Sequence, residues 1–272
     1  MRAQWARIAA MSVLSAAASA CDPTVIIAER LCPQSPSASP DSSAPDAGPA
    51  FDPDGSVPMP WTTGFEDGFC NYTLPSGFCV ATGSSSYTLV TSPVHSGQYA
   101  AAFTVPGTLD GGSQARCVEQ GVFPDAAYYG AWYFIPVAEV NSGVWNLLHF
   151  QGGVPGTNQV HGLWDVSLVN LPDSGALHIV FYDFLNGTTP DVSAVPHIPI
   201  GKWFHLEVYF KRASDAKGQL TVVQDSMVAA NLSNLETDDT HWGQWFVGSF
   251  ANALVPAGST VYVDDITIGA AP

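Results

Sequence analysis

The stretch that decides the fold runs from residue 203 to residue 211 and reads Trp203-Phe-His-Leu-Glu-Val-Tyr-Phe-Lys211. Successive side chains of a β-strand point to opposite faces, so alternate residues of this stretch share a face. One face is apolar throughout and predicts contact with a hydrophobic core: Phe204, Leu206, Val208 and Phe210. The other is a row of aromatic and hydrogen-bonding groups, typical of an open sheet that binds sugars: Trp203, His205, Glu207, Tyr209 and Lys211.

The sequence around this stretch has the same strand-like composition throughout one predicted domain, residues 61–272. Short runs rich in Val, Ile, Tyr, Phe, Trp and Thr alternate there with Gly, Pro, Asn and Asp. No window keeps a helical period, and at most one short helix fits, near Val137–Ser142. Many short strands at near-regular spacing indicate an all-β sandwich or barrel. A length of about 210 residues is normal for one such domain.

The N-terminus predicts export. Residues 1–20 combine Arg2 and Arg7, a short apolar run, and the small residues Ala18-Ser19-Ala20, which is the pattern of a signal peptide. The apolar run is shorter than the roughly 20 residues that span a bilayer. Because the cleavage region also resembles a bacterial lipobox, we expect Cys21 to begin the mature chain and to carry lipid. The protein would then be a cell-surface or outer-membrane lipoprotein; the alternative is simple secretion.

The odd number of cysteines agrees with lipidation of one of them. The chain has five cysteines, and a lipidated Cys21 leaves the even set Cys32, Cys70, Cys79 and Cys117 for disulfides. Four cysteines allow three pairings; the short loop between Cys70 and Cys79 favours that pair, with Cys32 joined to Cys117. Residues 21–60 are rich in Pro, Ser, Ala and Asp, so we predict a disordered linker between anchor and domain.

The charge balance excludes one class of function. The chain has a formal charge of −16, and residues 61–272 hold 18 acidic against five basic residues, a balance of −13. Binding of phosphate chains requires clustered Lys and Arg, so a nucleic-acid partner is excluded. The same balance predicts that neutral or weakly acidic polysaccharides bind better than strongly anionic ones.

Several stretches resemble the concanavalin A-like lectin/glucanase superfamily. They are Gly64–Gly68, Tyr128–Pro136, Ile200–Tyr209 with the hairpin that follows it to Asp225, and Val261–Ile268. Their order and spacing are most similar to secreted heparin-lyase-like and alginate-lyase-like polysaccharide lyases. The resemblance implies an antiparallel two-sheet jelly-roll sandwich. It does not choose an activity, because this fold hosts lectins, hydrolases, lyases and structural modules.

The first functional interpretation is a surface-anchored module that binds extracellular polysaccharide without strong catalysis. Its predicted contacts are Trp203, His205, Glu207 and Tyr209, which share one face of one strand. A surface lipoprotein with a purely structural role is a further alternative.

The leading enzymatic alternative is a polysaccharide lyase that cleaves a uronate-containing glycan by β-elimination. In the related lyases Gln, Asn or Arg neutralises the uronate carboxylate, and His and Tyr transfer protons. Here Gln151, His149 and Tyr209 could take these roles, with Lys211 nearby; His149 and Gln151 would share a strand face. The R-x-E-x-R and Gln-Ile-His motifs of alginate lyases are absent. The E-x-D-x-x-E motif of glucanases is absent too, so a glycoside hydrolase is the weaker enzymatic prediction.

The resemblance also implies a structural Ca²⁺. In related sandwiches the opening and closing strands lie side by side and bind the ion through acidic side chains and backbone carbonyls. Calcium takes six to eight oxygen ligands, and Glu66, Asp67, Asp264 and Asp265 could supply some of them. No other cofactor is predicted.

Overall fold

The structure is a computed structural model that describes Cys32 and residues 55–107, 112–153, 159–171, 175–190, 196–238, 240 and 242–271. The predicted signal peptide, the lipidation site Cys21 and most of the predicted linker lie outside the described residues. Within the described part, no helix is long and apolar enough to cross a membrane.

The described residues form strands and connecting turns, with no helix. The strands are β1 (Trp61–Thr63), β2 (Gly77–Ala81), β3 (Ser86–Val90), β4 (Ala100–Val105), β5 (Ser113–Val122), β6 (Ala126–Phe134), β7 (Val140–Asn141), β8 (Trp145–Gly153), β9 (Val160–Asn170), β10 (Leu177–Asp183), β11 (Trp203–Lys211), β12 (Gly218–Gln224), β13 (Met227–Leu235), β14 (Trp242–Ala251), β15 (Leu254–Val255) and β16 (Ser259–Ala270). The segment where a short helix could fit contains β7 instead, paired with β15.

Two antiparallel sheets make up the sandwich. The larger has the order β13-β12-β11-β6-β16-β4-β3, with β1 added beside β16, and the smaller has the order β10-β9-β8-β14-β5-β2. Aromatic side chains join them: Phe150 of β8 stacks on Phe210 of β11 with ring centroids 4.6 Å apart, and Tyr129 of β6 meets Trp245 of β14 edge-on at 5.2 Å. The prediction of an all-β antiparallel two-sheet sandwich is confirmed.

Strand β11 has the two faces that its sequence predicts. Phe204, Leu206, Val208 and Phe210 are fully buried in the core. The alternate residues from Trp203 to Tyr209 are partly exposed, and Lys211 is exposed. The outer face of the larger sheet is therefore the surface that the first functional interpretation used.

All four predicted cysteines form disulfides, but the favoured pairing is wrong. Cys32 bonds to Cys70, and Cys79 bonds to Cys117. The reason lies in the sheet register, since β2 and β5 are antiparallel neighbours that place Cys79 directly opposite Cys117. Proximity in sequence favoured Cys70 with Cys79, whereas strand pairing decides which sulfur atoms meet.

Candidate active site

A cleft of about 300 Å³ opens on the outer face of the smaller sheet. Four neighbouring strands and the turn after β10 form it, and its lining combines charged, amide and aromatic groups. The lining residues are Gln114 and Arg116 of β5, His149 and Gln151 of β8, Gly162 and Asp165 of β9, Phe184, and Phe246 and Phe250 of β14.

The centre of the cleft is a pair of side chains that the register places side by side. His149 of β8 lies directly opposite Asp165 of β9, and the imidazole Nδ1 is hydrogen-bonded to a carboxylate oxygen of Asp165. Both residues are largely buried. A carboxylate accepts hydrogen bonds, so a neutral His149 carries its proton on Nδ1 and donates it to Asp165. The Nε2 atom then has the free lone pair and can accept a proton.

Arg116 supplies the positive charge of the cleft. It lies opposite Gly248 of β14, between Phe246 and Phe250, which alternate with that glycine on one strand face. The guanidinium carbon is 5.5 Å from the Phe246 ring centroid and 4.8 Å from that of Phe250, within the range of cation–π contacts. Gly248 allows β14 and β5 to approach closely here, since a Cβ would come within 2.6 Å of the carbonyl oxygen of Ala115.

This buried guanidinium forms no ion pair with a carboxylate of the described residues, although Asp165 is near enough to act on its charge. Arg116 is only 5% exposed, no carboxylate of the described residues lies within salt-bridge distance of it, and its Nε has no hydrogen-bond partner there. Burial lowers the pKa of Arg116 to about 10, opposed by the nearby Asp165 carboxylate, so the group stays protonated at neutral pH. A buried, unpaired charge is costly, which indicates a place prepared for an anion.

A row of glutamines crosses the sheet beside this centre. Gln151 of β8 and Gln120 of β5 lie on either side of Gln244 of β14, each directly opposite it. Gln120 Nε2 donates to the carbonyl oxygen of Pro75 (2.6 Å), and its Oε1 accepts from Gln244 Nε2 (2.9 Å). This network orients the Gln244 amide, whose NH2 group donates to Gln120, and Gln244 lies largely buried beside the cleft rather than in its lining.

Exposed aromatic surface borders the cleft on the β10 side. Phe184 is 43% exposed, and its ring lies 5.7 Å from that of His149 and 4.7 Å from that of Tyr182. Gly162 makes room for it, since a Cβ there would come within 2.8 Å of the Phe184 ring. A ring held open to solvent beside amides and an imidazole can stack on the apolar face of a sugar.

The predicted site residues divide between the two outer faces. His149 and Gln151 lie together in the cleft, whereas Tyr209 and Lys211 lie on β11 of the larger sheet. The expectation that these four residues form one site is therefore wrong, because the core separates the two faces.

The predicted substrate contacts Trp203, His205, Glu207 and Tyr209 share the outer face of β11. Their rings contact neighbouring rings: Tyr209 meets Tyr128 at 5.1 Å, and Trp203 meets Phe134 at 5.6 Å. Burial lowers the pKa of His205, which favours the neutral imidazole on this face.

The predicted calcium ligands lie beside the turn formed by residues 91–99. Asp264 Oδ2 accepts from the backbone amides of His95 (3.0 Å) and Ser96 (3.1 Å). Asp265 bonds to the His95 ring at 2.6 Å and accepts from the Ser96 hydroxyl at 2.8 Å. A break in register between β16 and β6 at this point allows two consecutive carboxylates to reach the same turn.

The other two predicted calcium ligands are Glu66 and Asp67. Glu66 Oε1 accepts from the amides of Gln98 (2.9 Å) and Tyr99 (3.1 Å), and Asp67 is an exposed turn residue. Backbone N–H groups of the turn already donate to Glu66 and Asp264, and no cluster of three His, Cys, Asp or Glu suited to a metal occurs among the residues described. The carboxylates in this arrangement do not fit a calcium site.

No pattern in the sequence assigns Arg116 or Gln244 to this site or pairs Asp165 with His149. Arg116 was counted only as part of the net charge, although it is the one basic residue in the strand Ser113–Val122, and that isolation was a usable signal. Asp165 is 16 residues from His149, and Gln244 is farther still. Only the strand register brings them together.

Solved structures with a similar fold include two polysaccharide lyases. An endo-β-1,4-glucuronan lyase from the fungus Trichoderma reesei has a TM-score of 0.58 at 16% identity, covering 74% of this chain and 93% of that chain. The cellulose-induced protein Cip1 gives 0.54 at 14% identity, with coverages of 78% and 97%. The alginate lyase Aly36B gives 0.50 at 11% identity, with coverages of 79% and 98%.

These likenesses confirm, at the level of fold, the resemblance to alginate-lyase-like jelly-roll proteins. At such low identity they show the fold alone. No family model matches the sequence, and no curated protein matches it.

Proposed function

We propose that this protein is a polysaccharide lyase that cleaves a uronate-containing glycan by β-elimination in the cleft of the smaller sheet. One observation carries the proposal: the buried guanidinium of Arg116 forms no ion pair with a carboxylate of the described residues and opens into the same cleft as the His149–Asp165 pair. A uronate carboxylate is an anion that would complete this arrangement. Its α-carbon would then lie near a proton acceptor.

Charge neutralisation is the first requirement of the reaction. The hydrogen on C5 of a uronate is weakly acidic, and its removal places negative charge on the adjacent carboxylate. Arg116 would hold that carboxylate through a charge-assisted hydrogen bond, and Gln151 would donate a second one from its amide. Both contacts strengthen as negative charge develops in the transition state, so they accelerate the chemical step.

Proton transfer is the second requirement. Nε2 of His149 takes the C5 proton while Asp165 stabilises the imidazolium that forms. The electrons of the C5–H bond form the C4–C5 double bond, and the bond between C4 and the glycosidic oxygen breaks. The departing oxygen needs a proton, which the His149 imidazolium returns if that oxygen leaves from the same face of the sugar ring. The products are a new chain end and an unsaturated uronate.

The proposal changes the order of the functional interpretations. The sequence alone favoured a binding module centred on β11, whereas the described contacts favour chemistry on the opposite sheet. Two proteins of similar fold are a glucuronan lyase and an alginate lyase, which supports the same class of reaction. Polysaccharide remains the proposed partner in either interpretation.

An extracellular location remains part of the proposal. Two disulfides in the described residues are typical of an oxidising compartment, and polymeric glycans occur outside the cell. The lipid anchor on Cys21 is also retained as a proposal. Mass spectrometry of the mature N-terminus tests it, and an unmodified Cys21 thiol would exclude it.

The test of the proposed function is release of the unsaturated product. Purified protein is incubated with a panel of uronate-containing polymers, and the ultraviolet absorbance of the C4–C5 double bond is followed. We expect His149→Ala to lower the rate on the best substrate by about 10²- to 10⁴-fold, the usual contribution of a general base. The matched control is His205→Ala, which removes a histidine from the larger sheet and should leave the rate unchanged. Absence of product on every polymer, or equal loss in both variants, would overturn the proposal.

A further inference from the structure

The distribution of cations over the described sandwich is strongly uneven. Between residues 55 and 271 the chain has five Lys and Arg residues, and Arg116 alone among them lines the cleft. The others are Lys202, Lys211, Arg212 and Lys217.

None of these four cations can reach a substrate in the cleft. Lys202 directly precedes β11 of the larger sheet, and Lys211 is its last residue. Lys217 is exposed and paired with Asp215. The Arg212 guanidinium lies over the core rings of Phe123 and Phe210 and is paired with Asp238. The segments 108–111, 154–158, 172–174 and 191–195 contain no Lys or Arg in their sequence, so they cannot add one.

The groups beside Arg116 are suited to uncharged sugars. On one side Gln114 and Gln151 of the lining offer amides. On the other side Phe184 and Tyr182 offer ring surface. An amide can pair with hydroxyl groups through its oxygen or its NH2 group, but it supplies no positive charge to balance a further carboxylate. The carboxylate of Asp165, held by His149, disfavours a second anion further.

We propose that the cleft takes a glycan in which each uronate is flanked by neutral sugars, rather than a contiguous polyuronate. The inference rests on the proposed lyase activity and names the substrate class for that same site. One guanidinium can neutralise one carboxylate, and carboxylates on the neighbouring sugars would lose water without gaining a cation. The net charge of −16 adds long-range repulsion against a dense polyanion.

The test varies only the charge density of one polymer. A polyglucuronate is partially reduced at its carboxyl groups, so that remaining uronates become separated by neutral glucose units, and product release per remaining uronate is measured across the series. We expect kcat/KM per uronate to rise several-fold as neighbouring carboxylates are removed. A value that stays flat or falls, with product still formed, would overturn this inference and leave the lyase proposal intact. Absence of unsaturated product across the whole series, and on an alternating uronate–neutral polymer, would overturn both.

A gain-of-charge variant tests the same inference from the side of the protein. Gln244→Arg places a second cation beside the cleft and should shift the preference several-fold toward the unreduced polymer. Gln114→Arg makes the same change at a less buried position that belongs to the lining itself, and it serves if the first variant does not fold. The matched control is Gln98→Arg, an exposed position near Glu66, which changes the net charge equally. A shift as large in the control as in the cleft variants, or no shift in either cleft variant, would contradict the inference.

Discussion

The outer faces of the two sheets contain similar residue types but differ in how their polar groups are satisfied. On the larger sheet the His95 ring stacks on Trp132 with centroids 3.8 Å apart, and Asp264 and Asp265 are bonded to the turn that carries His95. On the smaller sheet Arg116 is buried beside a cleft and forms no ion pair in the described part of the chain. A buried guanidinium without an ion pair among the described residues is what distinguishes the smaller sheet from the larger one.

The largest effect on activity is expected from removing the cation of the smaller sheet, Arg116. Arg116→Gln should lower the turnover of a uronate polymer by about 10²- to 10³-fold, the typical cost of removing one preorganised group that stabilises developing negative charge. Arg116→Lys keeps the charge but loses the two-pronged geometry, so an intermediate loss is expected. Initial rates of double-bond formation measure both changes.

The control for this series is Lys211→Gln, which removes a cation from the larger sheet. We expect it to retain the parent rate because Lys211 is exposed at the end of β11. A loss comparable to that of Arg116→Gln would assign function to the larger sheet, as the sequence-based interpretation did.

A smaller effect concerns ionic strength. The whole chain repels a polyanion, whereas the attraction of Arg116 acts at short range inside the cleft. Added salt weakens the long-range repulsion before it weakens the short-range attraction, because the Debye length is about 10 Å at 0.1 M. We expect kcat/KM on a uronate polymer to rise by a factor of about two to five between very low and moderate salt. A steady fall over that range would mean that clustered cations attract the substrate, contrary to the described distribution.

The smallest effect is expected from chelation, which tests the calcium prediction on the larger sheet. Glu66, Asp264 and Asp265 already accept hydrogen bonds from the turn at residues 95–99, so excess chelator should leave the melting temperature unchanged. A ligand bound only by the folded state stabilises it by mass action. A clear decrease in melting temperature, starting from calcium-loaded protein, would restore the predicted ion.

The fold was largely predictable because alternation in strands such as β11 is a local property. The sequence of strand β13 has no clear alternation, since it exposes Met227 and Val228, contains Asn231 and Asn234, and has register breaks against β12. The two-residue alternation of apolar and polar side chains therefore does not predict this strand. The disulfide pairing and the His149–Asp165 pair depend on which strands are neighbours, and neither loop length nor spacing within one strand reveals that.

The candidate site was only half predictable for the same physical reason. His149 and Gln151 were found because two residues of one strand share a face by a local rule. Tyr209 was assigned to them by residue type, although its strand belongs to the other sheet. Whether a lone arginine in an apolar strand meets a carboxylate depends on its surroundings in three dimensions. Arg116 has no ion-pair partner among the described residues, and this is why we propose that it binds the anionic group of a substrate.

The most direct test is whether Arg116 contacts the uronate carboxylate. His149→Ala protein, which should bind without cleaving, is titrated calorimetrically with a uronate oligosaccharide and with its carboxyl-reduced form. The titrations are repeated in the His149→Ala/Arg116→Gln double variant. A charged hydrogen bond contributes about 1.5–3 kcal/mol, so carboxyl reduction should weaken binding about 10- to 100-fold when Arg116 is present, and little when it is absent. An equal effect of reduction in both proteins would show that the carboxylate binds elsewhere and would contradict the account.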